Sequence, residues 1–185
     1  MHGVGLQYGG MVKPIGPYGL KAAVWYQGES NAGRSSEYRA LFSAMINSWR
    51  KDWSSTFAFY FVQLAPFEAG PANTWPFLRE AQEQTLSLPA TGMAVILDIG
   101  DPRDIHPSNK QDVGLRLALI ARQQLYGRPC AWSGPVFKAA VRDGKAMRVT
   151  FDQVGDGLVL RDVPGSNFEV AGPDHAFVPA VARID

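Results

Sequence analysis

Residues 21–31, KAAVWYQGESN, decide how the chain folds. The stretch at 21–27 is apolar, with β-branched and aromatic side chains, and it lies between a Gly- and Pro-rich segment and Gly28, which is typical of a strand. From Ser35 the spacing changes to that of an amphipathic helix, with Ser35 or Ser36 as its expected N-cap. The apolar positions of this helix are Tyr38, Leu41, Phe42, Met45, Ile46 and Trp49. The segment therefore predicts a strand that leads into a helix.

The same order is repeated twice further along the chain. Residues 57–64 form a second apolar stretch, and Thr74 can cap a helix over 74–88. Residues 92–99 form a third apolar stretch, which a helix over 109–126 follows. Three strands that alternate with three helices predict right-handed βαβ units, and hence an α/β fold whose parallel sheet is covered on both faces.

The pattern changes after residue 127. The remaining residues have no helical periodicity, but short alternating pieces such as 146–151 and 157–160 are separated by Gly, Pro and Asp-Gly, as in β-hairpins. We therefore expect two domains, at 1–128 and 129–185, and a β-rich second domain that is incomplete at residue 185.

Composition excludes several classes of function. The 185 residues include 18 Lys and Arg and 17 Asp and Glu, a net charge of +1, and no segment concentrates one sign. This balance argues against a nucleic-acid-binding surface or a basic membrane-surface helix. The longest apolar runs, 57–62 and 93–97, are far shorter than the roughly 20 residues that span a bilayer. We expect a soluble protein with neither nucleic acid nor membrane as a partner.

Cysteine and histidine are scarce. Cys130 is the single cysteine, and the three histidines lack the spacing of metal ligands, so no disulfide, metal or cofactor is predicted. Residues 1–10 show no secretion signal, which leaves the compartment open. His2 and His175 have no chemically distinctive neighbours and are expected at the surface.

The first candidate site follows the first strand. A glycine and short polar side chains at a strand end, here at residues 28–31, allow backbone N–H groups and the Asn31 amide to converge on one point, as oxyanion stabilisation requires. The same residues also suit a plain strand-to-helix turn, because Gly, Ser and Asn are turn formers.

The second candidate site lies at residues 98–107, after the third strand. Pro107 holds His106 in extended backbone, just ahead of a helix whose start has the Ser-x-x-Gln spacing of a capping box at 108–111. A carboxylate at Asp104 or Asp101 could orient the imidazole, as the acid of a Ser-His-acid system does. A solvated acidic loop with an incidental histidine is the alternative. Both candidate sites follow strands, so we expect them at one edge of the sheet.

The two sites together resemble a known family. Residues 25–31 (WYQGESN) paired with 104–111 (DIHPSNKQ) are similar to blocks of the sialate O-acetylesterases, a branch of the SGNH hydrolases. Intervening segments agree, at 10–14 (GMVKP), 78–82 (LREAQ) and 98–101 (DIGD). The resemblance covers nearly the whole chain and is strongest over about 9–127.

The resemblance implies a carbohydrate esterase with a three-layer α/β/α core that removes O-acetyl groups from sialic acid or a related sugar. It assigns the oxyanion and substrate side to Gln27, Gly28, Glu29 and Asn31, and the general base to His106. The family's nucleophile lies in a Gly-Gln-Ser-Asn segment that this chain lacks, which suggests that the chain begins inside a longer enzyme. The β-rich tail would then start the family's additional β domain.

The chain departs from the family pattern near the base. Many SGNH enzymes place the acid three residues before the histidine, where this chain has Arg103, so Asp104 is the first choice for the orienting acid and Asp101 the second. A competing mechanism uses Ser30 as nucleophile, because residues 28–32 (GESNA) differ at one position from the Gly-x-Ser-x-Gly elbow.

Other functions stay open. Related SGNH families include xylan and other polysaccharide acetylesterases. A non-catalytic carbohydrate-binding remnant is a different class, in which four tryptophans would stack on sugars rather than pack in the core. They are Trp25, Trp53, Trp75 and Trp132. The resemblance suggests a periplasmic or secreted protein, and the oligomeric state is not predicted.

Overall fold

The computed structural model describes residues 5–68, 70, 74–160, 168–174 and 176–185. The chain divides into two compact units between Trp132 and Ser133. The assignment of domains to 1–128 and 129–185 stays a prediction. His2 and His175, expected at the surface, lie outside the described residues.

The first unit contains a three-stranded parallel sheet in the order β1-β2-β3 and three α-helices. Ala22 of β1 lies opposite Ala58 of β2, and Phe59 of β2 lies opposite Thr91 of β3. The elements are β1 (Ala22–Trp25), α1 (Ser35–Asp52), β2 (Ala58–Val62), α2 (Trp75–Gln84), β3 (Thr91–Ala94) and α3 (Lys110–Gln124). Short π or 3₁₀ turns lie at Tyr8–Val12, Lys13–Ile15, Glu29–Arg34 and Thr85–Ser87. The predicted α/β fold is confirmed.

The central strand β2 is buried on both faces, as its uninterrupted apolar sequence requires. On one face Phe59 and Phe61 pack into a cluster with residues of α1 and α2, including Phe42 and Leu78. On the other face alternate β2 residues pack against α3. The sheet is therefore the middle of three layers, with α1 and α2 on one side and α3 on the other.

A buried arginine ties the helical layer to the sheet. Arg50 is 7% exposed, and its guanidinium donates to the carbonyl of Phe57, just before β2, and to the carbonyl of Ala90, just before β3. These two hydrogen bonds offset the cost of burying a charged group. They fix the carboxyl-terminal turn of α1 against the amino-terminal ends of two strands.

The first helix begins differently from the prediction. A 3₁₀ turn at Glu29–Arg34 runs directly into α1, so Arg34 takes the cap position and no side chain caps the helix. The expectation that Ser35 or Ser36 is the N-cap was therefore wrong. The non-helical backbone of Arg34 (φ −136°, ψ 41°) puts Ser35 inside the first turn, where its side chain cannot act as the N-cap.

The capping box expected at 108–111 is displaced by one residue. Asn109 is the N-cap of α3, and its Oδ1 accepts from the N–H of Asp112 at 3.1 Å. Its Nδ2 donates in turn to Asp112 Oδ2 at 2.7 Å. Asn and Asp form this reciprocal pair because both have short polar side chains and Asn is a favoured N-cap.

The second unit contains two antiparallel pairs of strands. A hairpin joins β4 (Val136–Asp143) to β5 (Ala146–Asp152), and β6 (Phe168–Val170) pairs with β7 (Val178–Ala180). The hairpin predicted at 146–151 is confirmed. The strand expected at 157–160 was wrong, because Gly157 N–H closes a turn on the carbonyl of Val154 and the following residues pair with no strand in the described part of the chain.

The tryptophans of the first unit pack into its core. Trp75 is 5% exposed and donates its indole N–H to the carbonyl of Ala65. Trp25 packs edge-on against Trp49, with ring centroids 5.9 Å apart. Trp53 and Trp132 are partly buried against the core clusters. These contacts favour core packing over an open sugar-stacking surface.

Candidate active site

The carboxyl ends of the three parallel strands lie at one edge of the sheet, and both candidate sites follow these ends. Gly28 packs closely against Leu64, which follows β2, and against Leu78 of α2. The segment after β3 lies against the same part of the chain, because Glu68 N–H donates to the carbonyl of Pro102 at 2.8 Å. The two sites therefore share an edge through the segment that follows β2.

A second contact joins the two sites on the α3 side of the sheet. The ammonium group of Lys110, four residues after His106, lies 4.7 Å from the ring centroid of Tyr26, just after β1. Burial raises the pKa of the Tyr26 hydroxyl, and the negative charge of Glu29 raises it further. The start of α3 is thus held against the segment that carries the first site.

The peptide between Gln27 and Gly28 has a fixed orientation. The carbonyl of Gln27 accepts from the Tyr38 hydroxyl at 3.1 Å and from Gln82 Nε2 at 3.4 Å. Gly28 N–H donates to Glu29 Oε2 at 2.9 Å. Because carbonyl and N–H point in opposite directions across a trans peptide, the N–H of Gly28 faces away from the buried side chains of Tyr38 and Gln82.

Asn31 is held beside this peptide by two hydrogen bonds. Its backbone N–H donates to the carbonyl of Gly28 at 2.8 Å, and its Oδ1 accepts from Gln27 Nε2 at 2.9 Å. With Oδ1 engaged, the Nδ2 group of Asn31 is the donor that a ligand can use. The structure therefore brings together all four residues assigned to the oxyanion and substrate side: Gln27, Gly28, Glu29 and Asn31.

The second site is an open loop. The His106 side chain is 88% exposed, and its Nδ1 lies 4.0 Å from Asp104 Oδ1, which is longer than a hydrogen bond. That oxygen accepts instead from the backbone N–H of His106 at 2.8 Å. Asp104 thus lies next to the imidazole and holds the loop, but it does not bind the ring in this conformation.

Asp101 is engaged by the arginine that follows it. Its Oδ1 accepts from the backbone N–H of Arg103 at 2.9 Å and from Arg103 Nε at 3.4 Å. These hydrogen bonds lower the pKa of the Asp101 carboxyl, the backbone bond most strongly. Asp98 is paired with Arg116 of α3 at 2.6 Å. Of the three acids before His106, Asp104 is the one near the ring.

Sequence reasoning missed two residues that support the first site. Tyr38 and Gln82 were assigned only to helix periodicity and to a family block, yet both donate to the Gln27 carbonyl. Gln82 is fully buried. A glutamine on the apolar face of α2, between Leu78 and Thr85, was the available signal, because buried polar groups need partners.

Two further features bear on the kinds of site present. Within the described residues, no group of three or more His, Cys, Asp or Glu side chains is arranged to hold a metal ion. No helix in the described part of the chain is long and apolar enough to cross a bilayer.

Comparisons with known proteins agree on one family. Residues 6–122 match the model of the family described as "Carbohydrate esterase, sialic acid-specific acetylesterase". The sialate O-acetylesterase of Rattus norvegicus is 33% identical over 77% of this chain and 31% of that protein. The sialate O-acetylesterase of Homo sapiens is 34% identical over 68% of this chain and 28% of that protein.

A solved structure is also similar to this chain. The crystal structure of a carbohydrate acetylesterase from Xanthomonas citri matches with a TM-score of 0.86 and 46% sequence identity. The match covers 96% of this chain and 43% of that chain. The chain therefore spans less than half of this relative, and about a third of the curated relatives it matches.

Proposed function

The chain belongs to the sialic acid-specific acetylesterase family of carbohydrate esterases, and from this premise we propose that it supplies the oxyanion-binding groups and the general base for hydrolysis of O-acetyl esters. The proposed substrate is an acetylated sialic acid or a related acetylated sugar. Gly28 N–H and the Asn31 amide would bind the oxyanion, and His106 would be the base.

One observation carries the proposal: the N–H of Gly28, on the side of the peptide away from Tyr38 and Gln82, donates to a carboxylate oxygen of Glu29 at 2.9 Å. An anionic oxygen at this position resembles the oxygen that becomes negative when an ester carbonyl is attacked. Preorganised N–H donors stabilise that charge more strongly than they stabilise the neutral carbonyl. Glu29 has to release Gly28 N–H before a substrate can use it.

The base has an accessible position at the same edge of the sheet. An imidazole can take a proton near neutral pH, and the 88% exposure of His106 leaves its nitrogens open to a nucleophile. A movement of about 1 Å would bring Asp104 Oδ1 from 4.0 Å to hydrogen-bond distance of Nδ1. Asp104 would then fix the ring and stabilise the imidazolium.

The reaction follows ordinary serine-esterase chemistry. A serine Oγ attacks the acetyl carbonyl carbon while His106 takes the hydroxyl proton, and the sugar oxygen leaves with that proton. Water then attacks the acetyl-enzyme, with His106 as base again, and releases acetate and the serine. We place the nucleophilic serine outside these 185 residues, because no Gly-Gln-Ser-Asn segment is present here.

Ser30 is not our choice of nucleophile. A nucleophile elbow places its serine on a sharp, strained turn between strand and helix. Ser30 lies instead inside the 3₁₀ turn Glu29–Arg34. Among the described residues other than glycine, only Ser54, Ala90 and Gln153 have a positive φ. The required strained backbone is therefore missing at Ser30.

The identity of the sugar is a finer proposal. The family description favours sialic acid. A xylan or other polysaccharide acetylesterase is the enzymatic alternative, and similarity to the carbohydrate acetylesterase from Xanthomonas citri fits either kind of sugar. A non-catalytic binding module is disfavoured by the core positions of Trp25 and Trp75.

A chimera tests the proposal directly. This chain would replace the matching 43% of the Xanthomonas citri acetylesterase, and acetate release would be measured from O-acetylated sialic acid and from acetylated xylo-oligosaccharides. We expect acetate release that is lost on Asn31→Ala, which removes the side-chain amide proposed as an oxyanion donor. Alone, the chain should hydrolyse p-nitrophenyl acetate little or not at all. Robust turnover by the chain alone that disappears in Ser30→Ala would overturn our choice of nucleophile.

A further inference from the structure

A buried glutamine lies directly beneath the first site. Gln82 is 0% exposed, and its side-chain amide spans the carboxyl ends of two strands. Its Oε1 accepts from the N–H of Leu64 at 2.9 Å, and its Nε2 donates to the carbonyl of Val62 at 3.2 Å. The same nitrogen donates to the carbonyl of Gln27 at 3.4 Å. One amide thus connects β2 to the residue just before Gly28.

We propose that Gln82 is a positioning residue that fixes the direction of Gly28 N–H, a role that rests on the proposed oxyanion function of that N–H. Gln82 and Tyr38 both donate to the Gln27 carbonyl and hold it toward the core. The peptide is planar, so this inward carbonyl turns the N–H of Gly28 outward. Without Tyr38 and Gln82 as donors, the peptide plane between Gln27 and Gly28 could rotate, and the Gly28 N–H would no longer have a fixed direction.

The close packing around Gly28 supports this assignment. A Cβ added at Gly28 would lie 3.3 Å from Gln82 Nε2 and 2.9 Å from Leu78 Cδ2. A side chain at Gly28 would thus press against the same amide of Gln82 that is bonded to the preceding carbonyl. If residue 82 only filled the core, a leucine would serve, because it has no polar atoms that need partners. The hydrogen bonds from Gln82 Nε2 to the carbonyls of Val62 and Gln27 therefore indicate a further role.

The chain contains a matched control for this residue. Gln63 is also a buried glutamine, 8% exposed, but its Nε2 donates to the carbonyl of Arg79 in α2 and not to the site peptide. Gln82→Met and Gln63→Met each remove a buried amide, so both should lower stability. Only the first removes a donor from the Gln27 carbonyl.

The test follows the backbone amide of Gly28 by ¹⁵N NMR in the complete 185-residue chain. In the parent chain, the Gly28 amide proton should resonate downfield, because it is hydrogen bonded to the Glu29 carboxylate. Glu29→Gln removes that carboxylate, and the change in the Gly28 amide proton shift on this substitution is the Gly28 response. We expect the response to fall below about a third in Gln82→Met and to persist in Gln63→Met, because hydrogen bonds weaken steeply when misaligned.

A full-sized Gly28 response in folded Gln82→Met would overturn the inference. If Gln82→Met does not fold, Gln82→Leu takes its place, because leucine also fills the space without a donor to the Gln27 carbonyl; an unchanged response there overturns the inference equally. Failure of the proposed function would look different. The chimera would then keep its acetate release in Asn31→Ala, whatever the NMR response shows.

Discussion

Gly28→Ala is expected to destabilise the first unit strongly, because the site glycine has no room for a side chain. The added Cβ would lie 2.9 Å from Leu78 Cδ2 and 3.3 Å from Leu64 Cδ2. The backbone has φ 158° and ψ −19°, which L-residues rarely adopt. Overpacking and backbone strain each cost about 1–3 kcal/mol, so we expect a loss of roughly 3 kcal/mol in the free energy of unfolding. For a chain of this size, that loss lowers Tm by about 6–12 °C.

The assay is urea and thermal unfolding followed by tryptophan fluorescence. All five tryptophans precede residue 133, so the fluorescence reports on the first unit alone. Gly33→Ala is the matched control, because Gly33 lies in the 3₁₀ turn that follows Gly28 and a Cβ there would have no neighbour within 4 Å. It should be neutral or stabilising by up to about 1 kcal/mol. Equal stabilities for the two variants would refute the packing argument.

Three further predictions follow from the caps, the buried tyrosine and the acids. Asn109→Ala should lower the free energy of unfolding by about 1 kcal/mol, and Ser108→Ala by less than about 0.5 kcal/mol, because Asn109 is the N-cap of α3. A larger effect of Ser108→Ala would show that Ser108 caps the helix. Burial raises the pKa of Tyr38 above its ordinary value of 10.0, so the contribution of Tyr38 to stability is complete below pH 10 and declines at higher pH. Tyr38→Phe should therefore reduce the loss of unfolding free energy at alkaline pH by up to about 1.4 kcal/mol per pH unit. Urea titrations at several pH values measure this slope, and an unchanged slope would contradict the prediction. In the chimera, Asp104→Asn should lower kcat more than Asp101→Asn, because Asp104 is the acid near the imidazole; the opposite order would assign the orienting role to Asp101.

The elements of the sheet could be predicted because local sequence determines them. The apolar stretch at 57–64 was predicted as a strand of a sheet covered on both faces, and β2 is buried on both sides. The spacing of Tyr38, Phe42 and Ile46 likewise fixed the inner face of α1. The third strand was predicted too long: it ends at Ala94, and the carbonyl of Val95 accepts instead from Arg116 of α3. The hydrogen bond from Arg116 to Val95 forms only once α3 packs on the sheet, so the sequence near the strand does not reveal it.

The candidate site residues were chosen by their chemistry and by their place after strand ends, both of which can be read from the sequence. The side chains that hold these residues in place could not be predicted in the same way. Tyr38 and Gln82 lie 11 and 55 residues from Gln27, so their contacts with its carbonyl depend on how α1 and α2 pack. The 4.0 Å separation of Asp104 from the imidazole is a matter of loop conformation, which residue spacing does not specify.

The most direct test of the account is the kcat of the chimera with His106 and with alanine in its place. His106 is exposed and bears no core packing, so His106→Ala should leave Tm within a few degrees of the parent. Loss of the general base should lower acetate release from the acetylated sugar by about 10²–10⁴-fold. A folded His106→Ala chimera that releases acetate at the parent rate would contradict the assignment of this chain as the part of the esterase that carries the base.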